Sequence, residues 1–345
     1  MKHKQYLSKG KAGSNLLKLF GVLSIFIFAI SCDHDEEPDG PNLEDRFGPF
    51  SVLSEFQVNR DTVDFASGQT AIFSAEFNKN VNWTITITGN ESGSVKTIEG
   101  FSRVIGSANA VWNGSTTQLP FFKIEMCSIE LTIPEEDGFS SVISIEISST
   151  RIYPGTLFTD FEEPAGSNIT LGNFEFELTN NTGRSQAFTA AQGDYFYLME
   201  GTDNVVPNFF TGLIVISPQI NGEEYIQFPT TVPENLYFNF FLYNDGRPFG
   251  IAVIQFAYDT NDNGVYDDGP DQTFQLTGDF PLDFTGWKKF SHTMADVGLT
   301  QELLQKIVAI RVLLISDNNS QPSPPLQVQF GIDYLTFTSG APLSL

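Results

Sequence analysis

The chain has 345 residues, with 18 Lys and Arg against 42 Asp and Glu and a net charge of −24. A chain this acidic repels phosphate backbones, which excludes nucleic acid as a partner and leaves divalent cations and neutral ligands open. Its 33 Phe and its lack of sustained helical periodicity point to aromatic-rich β cores, and its length points to two domains.

The first segment reads as a signal, not as structure. Lys2, Lys4, Lys9, Lys11 and Lys18 make it basic, and 19–30 (LFGVLSIFIFAI) is an uncharged apolar run. That run falls short of the roughly 20 apolar residues that span a bilayer. At its end, Ala29-Ile30-Ser31-Cys32 resembles the lipobox of bacterial lipoproteins. The resemblance implies cleavage after Ser31, a diacylglyceryl group on Cys32, and anchoring in the membrane by lipid. Two acyl chains anchor stably where one does not. The acidic run Asp33-His34-Asp35-Glu36-Glu37 that follows resembles the tag that sends some lipoproteins to the outer face of the outer membrane. As a stretch of chain, 32–49 is a solvated tether. Loss of 1–31 takes five lysines and no carboxylate, which puts the mature chain at −29. With Cys32 lipidated, Cys127 has no intramolecular partner and is expected to be a buried structural thiol.

Residues 50–150 alternate apolar and polar over short segments at 70–77, 81–88, 94–99, 121–133 and 140–147, and these are expected to be strands. Asn78-Lys79-Asn80, 89–93 and 134–138 carry the turn residues between them. This rhythm over about 100 residues predicts an Ig-like β-sandwich. Trp83-Thr84-Ile85-Thr86-Ile87, Ser92-Gly93 and Trp112-Asn113-Gly114 resemble the small Ig-like domain of flagellar hook-capping and secretion-associated proteins. That resemblance implies a spacer with a core Trp and no chemistry.

Residues 151–345 predict a larger β domain with strands at 157–161, 173–178, 194–199, 212–216, 236–243, 251–258, 272–277, 287–292, 307–315 and 327–338. One short helix is expected after Thr300, whose side chain can cap it. The domain opens on Phe158-Thr159-Asp160-Phe161-Glu162-Glu163 and closes on Gly331-Ile332-Asp333-Tyr334-Leu335-Thr336-Phe337, with Thr285-Gly286-Trp287 between. This order resembles the galactose-binding-like jelly rolls of carbohydrate-binding modules. The resemblance implies a jelly roll in which Asp160, Glu162 and Asp333 hold a structural Ca²⁺.

A second candidate calcium site comes from spacing alone. Asp259, Asn261, Asn263 and Asp267 place oxygen side chains at positions 1, 3, 5 and 9 of a loop, with Gly264 at 6 and the Val265 carbonyl at 7. Ca²⁺ is bound by this pattern in EF-hand-type loops. Position 12 is Pro270 instead of a bidentate Glu, and an Asn-Gly hairpin turn explains part of the same spacing.

Catalytic signatures are lacking: there is no His-Glu-x-x-His and no Gly-x-Ser-x-Gly, and His3, His34 and His292 are the sole histidines. The chain is therefore expected not to be an enzyme. The function expected is glycan binding, in which flat aromatic faces meet C–H-rich sugar faces beside hydrogen-bonding groups. Tyr243, Arg247, Tyr258 and Tyr225 are the candidate ligand-binding residues. The alternative is a structural or partner-binding subunit of an outer-membrane assembly.

Overall fold

Alternation of apolar and polar side chains along its longest strand builds the core of the N-terminal half. The structure is a computed structural model, and it describes residues 48–163, 170–175, 179–202, 210–218, 224–246, 250–276, 280–316 and 327–345. The 1–31 leader, Cys32, nearly all of the 32–49 tether and Arg247 lie outside the described residues. Seven strands come first: β1 (Val52–Val58), β2 (Thr62–Asp64), β3 (Ala71–Gly89), β4 (Val95–Ile105), β5 (Val111–Trp112), β6 (Met126–Ile133) and β7 (Phe139–Ser149). They form sheet I in the order β1-β3-β6-β7-β2, with β4 and β5 also on β3. Along β3 alternate side chains are buried on either side of Lys79: Ala71, Phe73, Ala75 and Phe77 before it, Val81, Trp83, Ile85 and Ile87 after it.

One expected turn does not form. The segments at 70–77 and 81–88 are a single strand of 19 residues that runs straight through Asn78-Lys79-Asn80. The first half of β3 pairs with β1 and the second with β6, and its register with β4 slips between Glu76 and Val81. The polar triplet sits where pairing partners change, so its residues need not satisfy a regular ladder; Lys79 meets Glu136 at 2.8 Å instead. Trp112 is fully buried, lies edge-on to Phe65 and Phe122, and donates its indole N–H to the Ser115 carbonyl at 2.9 Å. Cys127 is buried, and burial pushes its thiol up to about 12, which leaves it a packing group.

The expected strand at 121–133 begins only at Met126. Residues 119–125 are a strap fixed by Glu125, which is 4% exposed. Its carboxylate accepts from the backbone of Glu91 (2.6 Å), Ser92 (2.9 Å) and Lys123 (2.9 Å) and from the Ser92 hydroxyl (2.6 Å). Burial opposes its charge, and these four donors together outweigh it and hold its pKa below the usual value.

The C-terminal half is a sandwich of two six-stranded sheets among the described residues. Its strands are β8 (Thr156–Thr159), β9 (Thr170–Glu175), β10 (Thr179–Ser185), β11 (Phe196–Thr202), β12 (Phe210–Ser217), β13 (Leu236–Asp245), β14 (Gly250–Tyr258), β15 (Gln272–Gln275), β16 (Phe280–Pro281), β17 (Thr285–Thr293), β18 (Ile307–Ser316) and β19 (Gln327–Ser339). Sheet II runs β10-β11-β19-β13-β17 with β8 on β19, and sheet III runs β15-β14-β18-β12-β9 with β16 on β14. The described half is thus all-β apart from short turns and the helix α1 (Gln301–Leu304), which Thr300 caps by accepting from the Leu303 N–H. Between the sheets lies a core led by Phe238, Phe240, Phe256, Phe330 and Phe337.

Sheet II is covered on both faces. In β13 the inner positions hold Phe238, Phe240 and Leu242, yet the outward Asn239 and Phe241 are also fully buried. Asn239 accepts from the Leu343 N–H at 2.9 Å and from the Ser291 hydroxyl at 2.7 Å, which pins the last residues across this outer face. Phe121 of the strap fills the rest. Its ring meets Tyr153 (4.5 Å), Phe241 (5.4 Å) and Tyr334 (5.5 Å), and its N–H donates to the Ala191 carbonyl at 2.8 Å. Residues Ser51–Leu345 accordingly make one compact unit.

Candidate functional site

The outer face of sheet III differs in character from that of sheet II. One row of directly opposed residues crosses it: Gln275 beside Gln255, Gln255 beside Arg311, Arg311 beside Val215, and Val215 beside Gly172. Antiparallel partners project on the same side, so the row presents two amides and a guanidinium together. Small or short apolar residues flank it: Ala257 and Ala309 toward one end, Val253 and Leu313 toward the other, all buried.

Arg311 is the centre of this face. Its side chain is 13% exposed. Nη1 donates to Gln255 Oε1 at 2.6 Å, and the guanidinium lies 5.5 Å from the centroid of the Tyr266 ring. Nη2 stands 4.0 Å from Asp268, an exposed carboxylate, so that pair is weak. Nε is buried and has no partner among the described residues. Tyr266 donates its hydroxyl to Asp268 at 3.0 Å; burial, opposed by Arg311 and aided by Asp268, pushes the phenol up to about 12. Tyr225 and Tyr266 both pack on the Val215, Ala257, Val308 and Ala309 cluster. The face thus offers a planar cation, an amide and two phenol rings on an apolar floor.

The loop 259–271 borders this face and is organised by two buried carboxylates. Asp259 is fully buried; it accepts from the backbone N–H groups of Asn261 (3.1 Å), Asp262 (2.7 Å) and Gly264 (2.8 Å) and from the Tyr225 hydroxyl (3.0 Å). Burial works against its charge, but these donors prevail and lower its pKa. Gly264 stands at φ +72°, and a Cβ there would lie 2.8 Å from Glu224. The amides of Asn261 and Asn263 both donate to Asp267 Oδ2, at 3.0 and 2.6 Å, and Val265 donates its N–H to Asn263 Oδ1. The structure therefore gathers Asp259, Asn261, Asn263 and Asp267 around one loop. It also adds a residue that the spacing argument missed. Asp271, one place after Pro270, is buried and accepts from the Thr260 and Asp267 N–H groups at 3.0 and 2.8 Å.

The other carboxylate set lies beside the strap. Asp333 is fully buried in β19 and accepts from the N–H groups of Gln192 (2.9 Å) and Tyr334 (2.7 Å). Burial, with Glu162 and Asp160 nearby, raises its pKa well above the carboxylate range. Glu162 accepts from Asp194 and Tyr195 N–H at 2.7 and 2.8 Å, and Asp160 accepts from the Glu162 N–H at 3.2 Å. Among the described residues no three His, Cys, Asp or Glu side chains converge as a metal site by themselves. Either set would have to draw on amide and backbone oxygens, which Ca²⁺ accepts.

The four ligand-binding candidates do not come together. Tyr225 borders the sheet III face. Tyr258 packs against the inter-sheet core and lies edge-on to Phe274. Tyr243 sits on the outer face of sheet II, stacked on Phe188 at 4.0 Å with Trp287 at 5.4 Å. Arg247 lies outside the described residues. Arg311, Gln255 and Tyr266 escaped sequence reasoning. Arg311 had a visible signal, as the sole charge in the strand IVAIRVLLIS.

No protein-family model matches the chain, and no curated protein matches it. Among solved structures, one described as carbohydrate-binding modules from the β-sandwich superfamily is 11% identical, covers 84% of this chain and 98% of its own, and gives a TM-score of 0.36. SGBP-B from a complex xyloglucan utilization locus in Bacteroides uniformis is 14% identical, covers 84% and 73%, and gives 0.35. The CBM22-1 xylan-binding domain of Paenibacillus barcinonensis Xyn10C is 10% identical, covers 55% and 97%, and gives 0.31. At such scores the likenesses say nothing about what this chain binds.

Proposed function

We propose that this chain binds glycan, without transforming it, on the outer face of sheet III. The observation that carries the reading is Arg311, set in the middle of a sheet with its Nε unpartnered, Gln255 at 2.6 Å and the Tyr266 ring at 5.5 Å. A guanidinium donates to ring and hydroxyl oxygens, an amide both donates and accepts, and phenol faces pack on sugar C–H groups. The buried carboxylates beside the face, Asp259 and Asp271, are committed to backbone N–H groups. The test is a glycan array probed with the chain and with its Arg311→Ala variant. Oligosaccharide binding that the substitution removes is expected; a blank array for the parent chain refutes the reading.

The same reading includes a structural Ca²⁺, at the 259–271 loop or at Asp160, Glu162 and Asp333. Supporting it are the gathered oxygens of the loop and the charge crowding at Asp333, which a cation would relieve. Ca²⁺ is expected to raise the melting temperature and EDTA to lower it. The gain is about 2.7 kcal/mol when the ion is a hundredfold above its Kd. Superimposable melting curves in both conditions would remove calcium from the account.

The reading also includes the lipid anchor on Cys32 and display at the outer face of the outer membrane, supported by the lipobox-like residues and the acidic run after them. A Cys32→Ser chain should leave the membrane fraction; its retention there would count against the anchor.

A further inference from the structure

The seam where the strap meets the C-terminal sandwich carries two adjacent clefts of about 310 Å³ each. Both are lined by Phe122, Thr150 and Gln192, so they form one groove across the seam. Phe121, Tyr153 and Tyr334 give the second cleft aromatic walls. Its rim carries Ile152 and Leu157, 73% and 46% exposed, and Ile124, 64% exposed, borders the first cleft. This is not the sheet III face, and of its lining residues Asp160 is the one that the sequence singled out, as a candidate metal ligand.

Polar groups along the groove are incompletely partnered. The Tyr153 hydroxyl and Gln192 Oε1 are buried and have no hydrogen-bond partner among the described residues. Natural structures rarely leave such atoms unpaired unless a water, ion or ligand completes them. Arg151 also lines the second cleft, with its guanidinium 5.2 Å from the Tyr153 ring and no carboxylate partner among the described residues. Tyr334 is held at φ 44°, a left-handed conformation that non-glycine residues adopt rarely and that gathers at ligand clamps.

The chemistry of the groove narrows the ligand. Tyr153 can donate and accept, Gln192 Oε1 and Asp160 accept, and Arg151 donates. A ligand that meets all of them needs closely spaced groups that each donate and accept, carried on a body with C–H faces for the aromatic walls. Vicinal hydroxyls on a sugar ring have that character. Each cleft is at the small end of the range of about 300–1,000 Å³ that holds small ligands.

We propose that the seam groove is a second saccharide-binding site, one to which the strap and the C-terminal sandwich both contribute. It stands independently of the sheet III face.

Hydrogen–deuterium exchange of the full chain with a β-glucan hexasaccharide and a β-xylan hexasaccharide tests this. At least one probe is expected to slow exchange severalfold at 121–124, 150–153 and 192–194, in the parent chain and in an Arg311→Ala, Gln255→Ala variant. Arg151→Ala with Gln192→Ala is expected to abolish that protection and to leave any protection on β14 and β18. Should that pair fail to fold, Ile152→Glu at an exposed rim position gives the same readout. Protection confined to β14 and β18, no protection anywhere, or seam protection that survives the seam substitutions would each overturn the proposal. Protection at the seam alone would uphold it and refute the sheet III reading.

Discussion

Replacing Phe121 by Ala is expected to destabilise the chain by about 3–5 kcal/mol, the cost of emptying a buried aromatic site. It is also expected to split one calorimetric transition into two. The reason is how few contacts join the strap to the sandwich. Phe121 is 3% exposed and touches three aromatic rings of the C-terminal half. The Phe121 N–H bond to the Ala191 carbonyl survives the substitution, and the side-chain bridge beside it, Lys123 to Asp194 at 2.6 Å, has side chains 22% and 62% exposed. An exposed pair of this kind contributes about 0–1 kcal/mol. Phe121 is also held from behind, because Glu125 fixes the strap through the Lys123 N–H and the 91–92 turn. Its loss therefore leaves a cavity that rigid neighbours cannot close. Scanning calorimetry of Phe121→Ala against Lys123→Ala decides the matter. A single transition in Phe121→Ala, shifted no more than in Lys123→Ala, would show that the coupling lies elsewhere.

The sequence made the β architecture legible because burial alternates with a period of two along most strands. It also placed the Thr300 cap, whose signal is local, and the buried thiol of Cys127. What it hid were relations between distant segments. The turn residues at Asn78-Lys79-Asn80 have a real turn preference, yet β3 continues, since each half gains a separate partner strand. Tyr243 and Tyr258 share a residue type, but one stacks on Phe188 and the other packs inward on the core. Neither placement follows from local pattern. Spacing marks the loop 259–271 in the sequence, but a twelve-residue template that starts at Asp259 ends at Pro270 and leaves out Asp271. The strap could not be foreseen, since Phe121 reads as one more apolar strand residue until its contacts with Phe241 and Tyr334 are seen. Arg311 shows the opposite case: a lone charge in an apolar strand is costly unless it has partners, and that cost marks the position as one with a purpose.

Arg311→Ala is expected to weaken glycan binding by roughly 30- to 150-fold, the equivalent of about 2–3 kcal/mol for hydrogen bonds made by a charged donor. Titration calorimetry with the oligosaccharide that the array selects would measure it. The loss should exceed that from Gln255→Ala. Gln255 contributes its own amide and orients the guanidinium through the 2.6 Å bond, whereas Arg311 is itself the donor and also faces Tyr266. Arg311→Lys should not restore affinity, because an ammonium keeps the charge but lacks the planar fork and its stacking on the phenol. The fold should survive, since the residues on either side of Arg311, Ile310 and Val312, belong to the core and are unchanged, and the Asp268 contact at 4.0 Å contributes little. Equal affinity in the parent chain, Arg311→Ala and Gln255→Ala would move the glycan off this face. Rescue by Lys would reduce Arg311 to a source of charge, and the directional hydrogen bonding on which the site assignment rests would be lost.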